Sequence, residues 1–379
     1  MVDGPLDLLV ADDGIGSLAV GYLLANRGRS VGVLDLAPVA GTTTVARAAA
    51  RSIGPLTALV ESAPTIVRRS ASLLQPEGMI GVEHSSERLS DAGTSVAVVD
   101  RRDAWAGLRH GLLAAGGVLV PGDGGFHVER GGFVADYRHA NGEVTGARCS
   151  ILGDVDVERL TTFPVGPPVP PDDAIEGEWQ FALDAEVVGA RFGLAPGGAA
   201  EWWLHGDPFD GSPGFARLRA FGGTVSLSLV VPLAAVVERR VGVEELARRL
   251  RGHPSISPML DGSTLRSASA STVAGSDRVG LVGDGWAAGP RASVLDDAPL
   301  TAELSMAVAM AEAIDAAFGA PRVSAARLAG MTGTARRIAR ASSRLPLGPI
   351  DAWGDTLIRR PAGLVDVLGD IARRFGAAG

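Results

Sequence analysis

Two adjacent carboxylates, Asp12 and Asp13, stand directly before Gly14-Ile15-Gly16, and another acid, Asp35, follows some way on. Glycines in a strand-to-helix turn, with an acid about twenty residues later, are what dinucleotide binding requires. Bare main chain and helix N-terminal amides then approach the pyrophosphate, and the acid takes the ribose hydroxyls. Laid on G-x-G-x-x-G with Gly16 as the third glycine, the first position is Ala11 and the second is Asp13. A carboxylate at the second position adds bulk and charge where the ligand brings more negative charge. Such a like-charge contact at about 4 Å costs roughly 1 to 4 kcal/mol. Asp12 and Asp13 also suit a helix N-terminus by themselves, capping free amides and meeting the positive end of the dipole. Two readings follow: a self-capped turn whose cofactor site is weakened or lost, and a cofactor shifted to use Gly14 and Gly16.

The elements that must hold these residues are legible. Leu6 to Val10 is a short apolar strand, Gly14 to Arg27 carries Leu18, Leu23 and Leu24 at helical spacing, and Val31 to Asp35 is a second buried strand. This is a βαβ opening with Asp35 at its acidic position.

Composition bounds the rest. With 379 residues, 46% hydrophobic content and 51 glycines, the chain is long enough for one large or two interleaved α/β domains. The net charge of -8 argues against nucleic acid as a partner, since phosphate binding needs a basic face. All basic side chains are arginine, which reads as coding bias. The single cysteine, Cys149, rules out disulfide frameworks and cysteine-built zinc or iron–sulfur centres in this chain, and the scattered histidines show no metal-ligand spacing. No leader precedes the first strand and no apolar run is long enough to span a bilayer, so a cytoplasmic protein is expected.

Further along, Gly41 to Leu74 reads as helical material, and Glu83 to Val99 as strands turning at Asp91-Ala92-Gly93. Trp105 to Ala115 is a helix closed by Gly116-Gly117 before the strand Val118 to Val120. His127 to Leu152 reads as a small antiparallel insertion, broken at Gly131-Gly132 and at the hairpin signal Asn141-Gly142. The proline-rich run Val165 to Pro171 marks a change of domain. Strands are expected at Phe181 to Val188, Ala199 to His205, Gly214 to Phe221 and Thr224 to Val231, forming a platform for a substrate or partner. A helix at Val243 to Arg251, a third buried strand at Arg278 to Asp284 and a helix at Pro299 to Phe318 follow. The Arg-rich turns from Ala335 to Gly379 could lie on a membrane, although a solvated helical face is the commoner cause of such a pattern.

Four stretches together resemble the FAD-dependent oxidoreductases of the geranylgeranyl-reductase and electron-transfer-flavoprotein:quinone oxidoreductase group, most of all its FixC branch. They are Asp7 to Val10 with Ala19 to Asp35; Phe192-Gly193-Leu194 with Trp203 to Pro208; Leu246 to Pro254; and Gly280 to Asp284 with the helix Ala307 to Ala316. The resemblance implies an α/β fold: a Rossmann-like FAD-binding domain of the glutathione-reductase type, an antiparallel-sheet substrate domain and C-terminal helices. The boundaries expected are 1–164 with 275–330 for the first, 165–274 for the second and 331–379 for the helical end. It implies FAD as cofactor, with Gly14, Gly16 and Asp35 at its adenosine diphosphate and Gly283 and Asp284 at its ribityl end. Ala11 and Asp13 depart from the turn motif, and Trp286 stands where it would crowd the flavin ring. A central strand end expected near Val155 to Phe163 departs as well.

Three functions are in view. The first keeps the fold of a FixC-like oxidoreductase but has a weakened or lost flavin, as a subunit supporting a homologous or electron-transfer partner. The second is an active FAD oxidoreductase passing electrons between flavin and a partner flavoprotein, quinone or unsaturated substrate. The third is a binding module reusing the cofactor cleft. No catalytic acid or base and no metal ligand stands out, because in such proteins the flavin carries the chemistry.

Overall fold

The structure, a computed structural model, describes residues 5–38, 41–75, 78–85, 96–128, 134–153, 174–206, 215–232, 236–238, 241–273, 281–290 and 299–342. Two sheets organise the chain. The first contains β1 (Leu6–Ala11), β2 (Val31–Leu34), β7 (Val118–Val120), β10 (Val144–Leu152), β16 (Val282–Gly283) and β17 (Trp286–Ala288), in the order β16-β17-β10-β1-β2-β7. From β17 to β7 every neighbouring pair is parallel. The meander β8 (Gly125–Val128) and β9 (Val134–Arg138) leads into β10.

A parallel sheet buries both faces, and the residues divide accordingly. Leu8, Val10, Val33, Ile151 and Ala287 face the helices α1 (Ile15–Ala25), α4 (Arg101–Ala114) and α8 (Pro299–Ala317), against Leu18, Leu24, Leu108, Leu304 and Ile314. Leu9, Ala11, Leu34, Leu152 and Trp286 pack with Tyr137 on the other side. Removing a single buried Leu or Ile side chain from such a core costs about 2 to 5 kcal/mol. That packing fixes α1 over the sheet and therefore fixes where its N-terminus opens.

The second sheet runs β15-β11-β14-β13-β12-β4-β6-β3, with β5 paired outside β4. Its strands are β3 (Thr42–Ala46), β4 (Thr65–Gln75), β5 (Gly78–Ser85), β6 (Val96–Asp100), β11 (Ala174–Ala182), β12 (Gly198–Gly206), β13 (Phe215–Phe221), β14 (Thr224–Pro232) and β15 (Thr264–Val273). One face is apolar, with Trp179, Phe181, Leu218, Leu227 and Leu229. It is covered by α5 (Ala185–Phe192) and α6 (Val243–Gly252), whose Val188, Phe192, Leu246 and Leu250 are buried there. The sheet curls so far that Thr42, on its edge strand, hydrogen-bonds Glu178 on β11 and Ser226 on β14. Strands from residues 42–100 thus belong to this sheet, although they fall within the 1–164 segment of the first expected domain.

The β1–α1–β2 unit, the α4 helix with Gly116 beyond it, and the strands at 198–206, 215–221 and 224–232 match the sequence reading. Elsewhere the structure corrects it. Gly41 to Leu74 is not a helical stretch: the buried run Thr42 to Val45 makes β3, the short helices α2 (Arg47–Arg51) and α3 (Thr57–Ser62) follow, and β4 then begins. The strand expected to reach Val188 stops at Ala182, because Asp184 accepts from the amides of Glu186 and Val187 and starts α5. The region 127–152 is not wholly an insertion, since β10 is a central parallel strand beside β1. The late parallel strand is Trp286–Ala288 rather than the buried strand expected from Arg278 to Asp284. β15, built of Ser and Ala alternation, was invisible to hydrophobic patterning. The turns expected at 91–93 and 131–132, the proline run at 165–171, the strand end at 155–163 and the segment 343–379 lie outside the described residues. The short helix α7 (Ser257–Leu260) and the helix α9 (Ala325–Ser342) complete the described elements. No described helix is long and apolar enough to cross a membrane.

Candidate functional site

The carboxyl ends of β1, β10 and β17 meet the N-terminus of α1, the place where open α/β sheets bind ligands. β1 remains paired to Leu152 through Ala11, and α1 begins at Ile15, so the turn is Asp12-Asp13-Gly14. The dinucleotide fingerprint begins immediately after the strand and opens the helix at its second glycine. In this chain those positions are Asp12, Gly14 and Ser17, one residue along from the frame expected. Gly14 therefore takes the second position, Ala11 is the last strand residue, and Asp13 lies between the motif positions.

Gly14 is the N-cap, with no side-chain cap and no acidic residue in the first turn of α1. Asp12 is 4% exposed, and its carboxylate accepts a 2.5 Å hydrogen bond from the Ser17 hydroxyl. The first and third motif positions are thus tied to each other. A Cβ on Gly14 would sit 2.8 Å from Asp12 Oδ2, and one on Gly289 would collide with both Asp12 and Ser17. Gly153, just past β10, also borders the carboxylate, and Gly16 lies against Pro290. The acid fills the space between the helix start and the ends of β10 and β17. A negative group there gains from the helix dipole, by up to about 2 kcal/mol when partly buried.

Asp35 follows the end of β2, its amide bonded to Val120 O. Its side chain, 53% exposed, pairs at 2.7 Å with Arg109 of α4, whose guanidinium lies over the Trp105 ring. Gly14, Gly16 and Asp35 therefore all lie along the carboxyl-end edge of the sheet. Gly283 and Asp284 are not brought there. They form the hairpin that opens β17, at the end of the strand away from Gly289, and Asp284 accepts the Ala325 amide at 2.7 Å to start α9. Gly289 and Pro290 stand at the closing end instead. Trp286 is a core side chain on the Leu9 and Tyr137 face. No group of three or more metal-ligating side chains occurs among the described residues.

Sequence reasoning missed the inner face of the curled sheet. Two cross-strand rungs run Glu201–Arg219–Ser226–Gln180–Ser267 and Trp203–Arg217–Ser228–Glu178–Ser269. Arg219 Nε bonds Glu201 at 2.7 Å and its Nη1 bonds Thr42 O at 2.8 Å; Arg217 stacks on Trp203 and lies 3.5 Å from Glu176. Glu178 accepts from Thr42 N, Thr42 Oγ1 and Ser226 Oγ. Burial pushes its carboxyl up from the ordinary range, with Arg219 opposing. Burial, then repulsion from Arg219, brings Arg217 down to about 10. The alternation of polar residues at i and i+2 opposite an apolar face was legible, but it is the pattern of a solvated face and carries no signal of burial.

The parallel sheet, its meander and the curled second sheet define a flavoprotein-type architecture. No protein-family model matches the chain. Two crystal structures share the fold: a geranylgeranyl bacteriochlorophyll reductase-like protein of Thermoplasma acidophilum (TM-score 0.66, 15% identity, covering 94% of this chain and 91% of that one), and PqsL of Pseudomonas aeruginosa, a probable FAD-dependent monooxygenase (0.60, 18%, 94% and 96%). By sequence, the chain is 25% identical over 285 residues to YdiS of Escherichia coli K12, a probable electron transfer flavoprotein-quinone oxidoreductase, matching 72% of this chain and 66% of that protein. It is 26% identical over 299 residues to the FixC protein of the same strain, matching 75% and 69%. The match thus spans just under two thirds of YdiS. In sequence the chain is thus similar to a probable electron transfer flavoprotein-quinone oxidoreductase and to FixC, and in fold to the two crystal structures.

Proposed function

We propose that this chain is a FixC-like flavoprotein oxidoreductase that holds FAD weakly, its adenosine diphosphate lying over the start of α1. The observation that carries this reading is the uncapped N-terminus of α1 behind Gly14, where no side chain stands on the residue a diphosphate must approach. The amides of Ile15 and Gly16 would meet the phosphates, and Asp35, once released from Arg109, the adenosine ribose. Gly289 and Pro290 would border the ribityl chain in place of Gly283 and Asp284. When bound, the flavin supplies two-electron transfer chemistry to a partner flavoprotein, quinone or small substrate. The chain's own work is to fix the dinucleotide across the sheet edge and to present the inner face of the curled sheet to whatever reacts.

Asp12 favours a second reading, in which the site is empty in the working protein and the fold serves a partner chain. Its carboxylate supplies from within the anion that α1 would otherwise take from a ligand. Titration of the purified protein with FAD and with riboflavin decides between them. The FAD reading expects saturable quenching by FAD and none by riboflavin, which lacks the diphosphate. Equal response to both, or to neither, overturns it. Co-purification as a stable hetero-complex, with no flavin response, is the result expected of the second reading.

A further inference from the structure

The inner face of the curled sheet carries more hydrogen-bonding capacity than the chain satisfies. Arg219 Nη2, Ser228 Oγ and Gln180 Nε2 are buried and have no hydrogen-bond partner among the described residues. They stand on β13, β14 and β11, three adjacent strands, and their registers put all of them on the same face. Leaving a buried donor unmet costs roughly 1 to 3 kcal/mol, so three on one face is an expensive arrangement unless something supplies acceptors. Two of the three are obligate donors, amide and guanidinium, and the hydroxyl can donate as well. The missing partner is therefore rich in acceptors. We propose that this face binds a small carboxylate-bearing ligand, held by Arg219, Ser228 and Gln180 over the central strand β14.

The charges agree with that chemistry. Glu201 is committed to Arg219 at 2.7 Å and Glu176 faces Arg217 at 3.5 Å, while Glu178 accepts from Thr42 and Ser226, so none of these carboxylates meets the three open donors. A long apolar tail finds no matching surface on these rungs, whose residues are Glu, Arg, Ser, Gln and a single Trp. The site is a property of the sheet and does not require flavin, so it stands or falls independently of the function proposed above.

The test is calorimetric titration of the flavin-free protein with succinate and, in parallel, with succinamide, which has the same shape and no charge. Succinate is expected to bind saturably, and succinamide at least tenfold more weakly, a charge-assisted hydrogen bond being worth roughly that factor or more. Ser228→Ala supplies the second arm. Because the hydroxyl has no described partner, its removal should leave the unfolding midpoint unchanged or raised, yet weaken succinate about fivefold or more. Equal binding of the two probes, absence of binding by both, or an unaltered succinate affinity in Ser228→Ala overturns the proposal and leaves these donors to buried water.

Discussion

Replacing Asp12 with Asn should strengthen FAD binding, and the size of the gain follows from where the carboxylate sits. It is 4% exposed and borders Gly14, Gly153 and Gly289 at the mouth of α1. A phosphate brought to about 4 Å from it would be opposed by roughly 1 to 4 kcal/mol, depending on the solvent left between them. That corresponds to an affinity gain of about fivefold to several hundredfold on removing the charge. Asn keeps the shape and the hydrogen bond to Ser17, so packing is preserved, while the lost dipole interaction costs at most about 2 kcal/mol of stability. Asp13→Gly is the matched control. In the frame 12, 14 and 17 it should change FAD affinity less than about threefold, whereas in the frame 11, 13 and 16 it would be the stronger of the two. Quenching of flavin fluorescence at constant protein gives both constants. The reasoning is refuted if Asp12→Asn binds FAD no tighter than the unaltered chain, or if Asp13→Gly produces the larger gain.

Asp284→Ala should cost about 1 kcal/mol in urea unfolding, through loss of the cap on Ala325, and leave FAD affinity within twofold. A large loss of FAD binding would instead return Asp284 to the flavin site. Ile314→Ala, at a fully buried position of α8 against α1, should destabilise by about 2 to 5 kcal/mol in the same assay, and a change under 1 kcal/mol would contradict the packing described. Glu178 has a folded pKa above its unfolded one, so the stability it contributes is complete below pH 4.5, the ordinary glutamate value, and falls as pH rises through the higher folded value. Glu178→Gln should flatten that decline in a series of unfolding midpoints taken upward from pH 4, and an unchanged slope would argue against a buried proton there.

Much of this fold can be read from residue order. The βαβ opening is legible because Leu8, Val10, Leu18, Leu24, Val31 and Val33 keep strand and helix periods without interruption. The glycine frame was not, since Ala11 is as acceptable in a strand as in a turn, and only pairing to Leu152 shows that the strand continues through it. For the same reason Gly-Asp at 283 and 284 looked like a strand end, while the hairpin turns the chain and lets Trp-Ala-Ala make the parallel strand. Arg217, Arg219, Ser226 and Ser228 alternate with Leu218 and Leu227 as solvent-facing polar residues do. Nothing local tells that the sheet curls and buries them.

The most direct test of the central claim is a crystal structure of the FAD-saturated protein. The account predicts the diphosphate within hydrogen-bonding distance of the Ile15 and Gly16 amides, with the adenosine ribose at Asp35 and the Asp12 carboxylate still turned to Ser17. Phosphates bound elsewhere, or a mouth of α1 closed by Asp12 with no flavin density under saturating FAD, would contradict it.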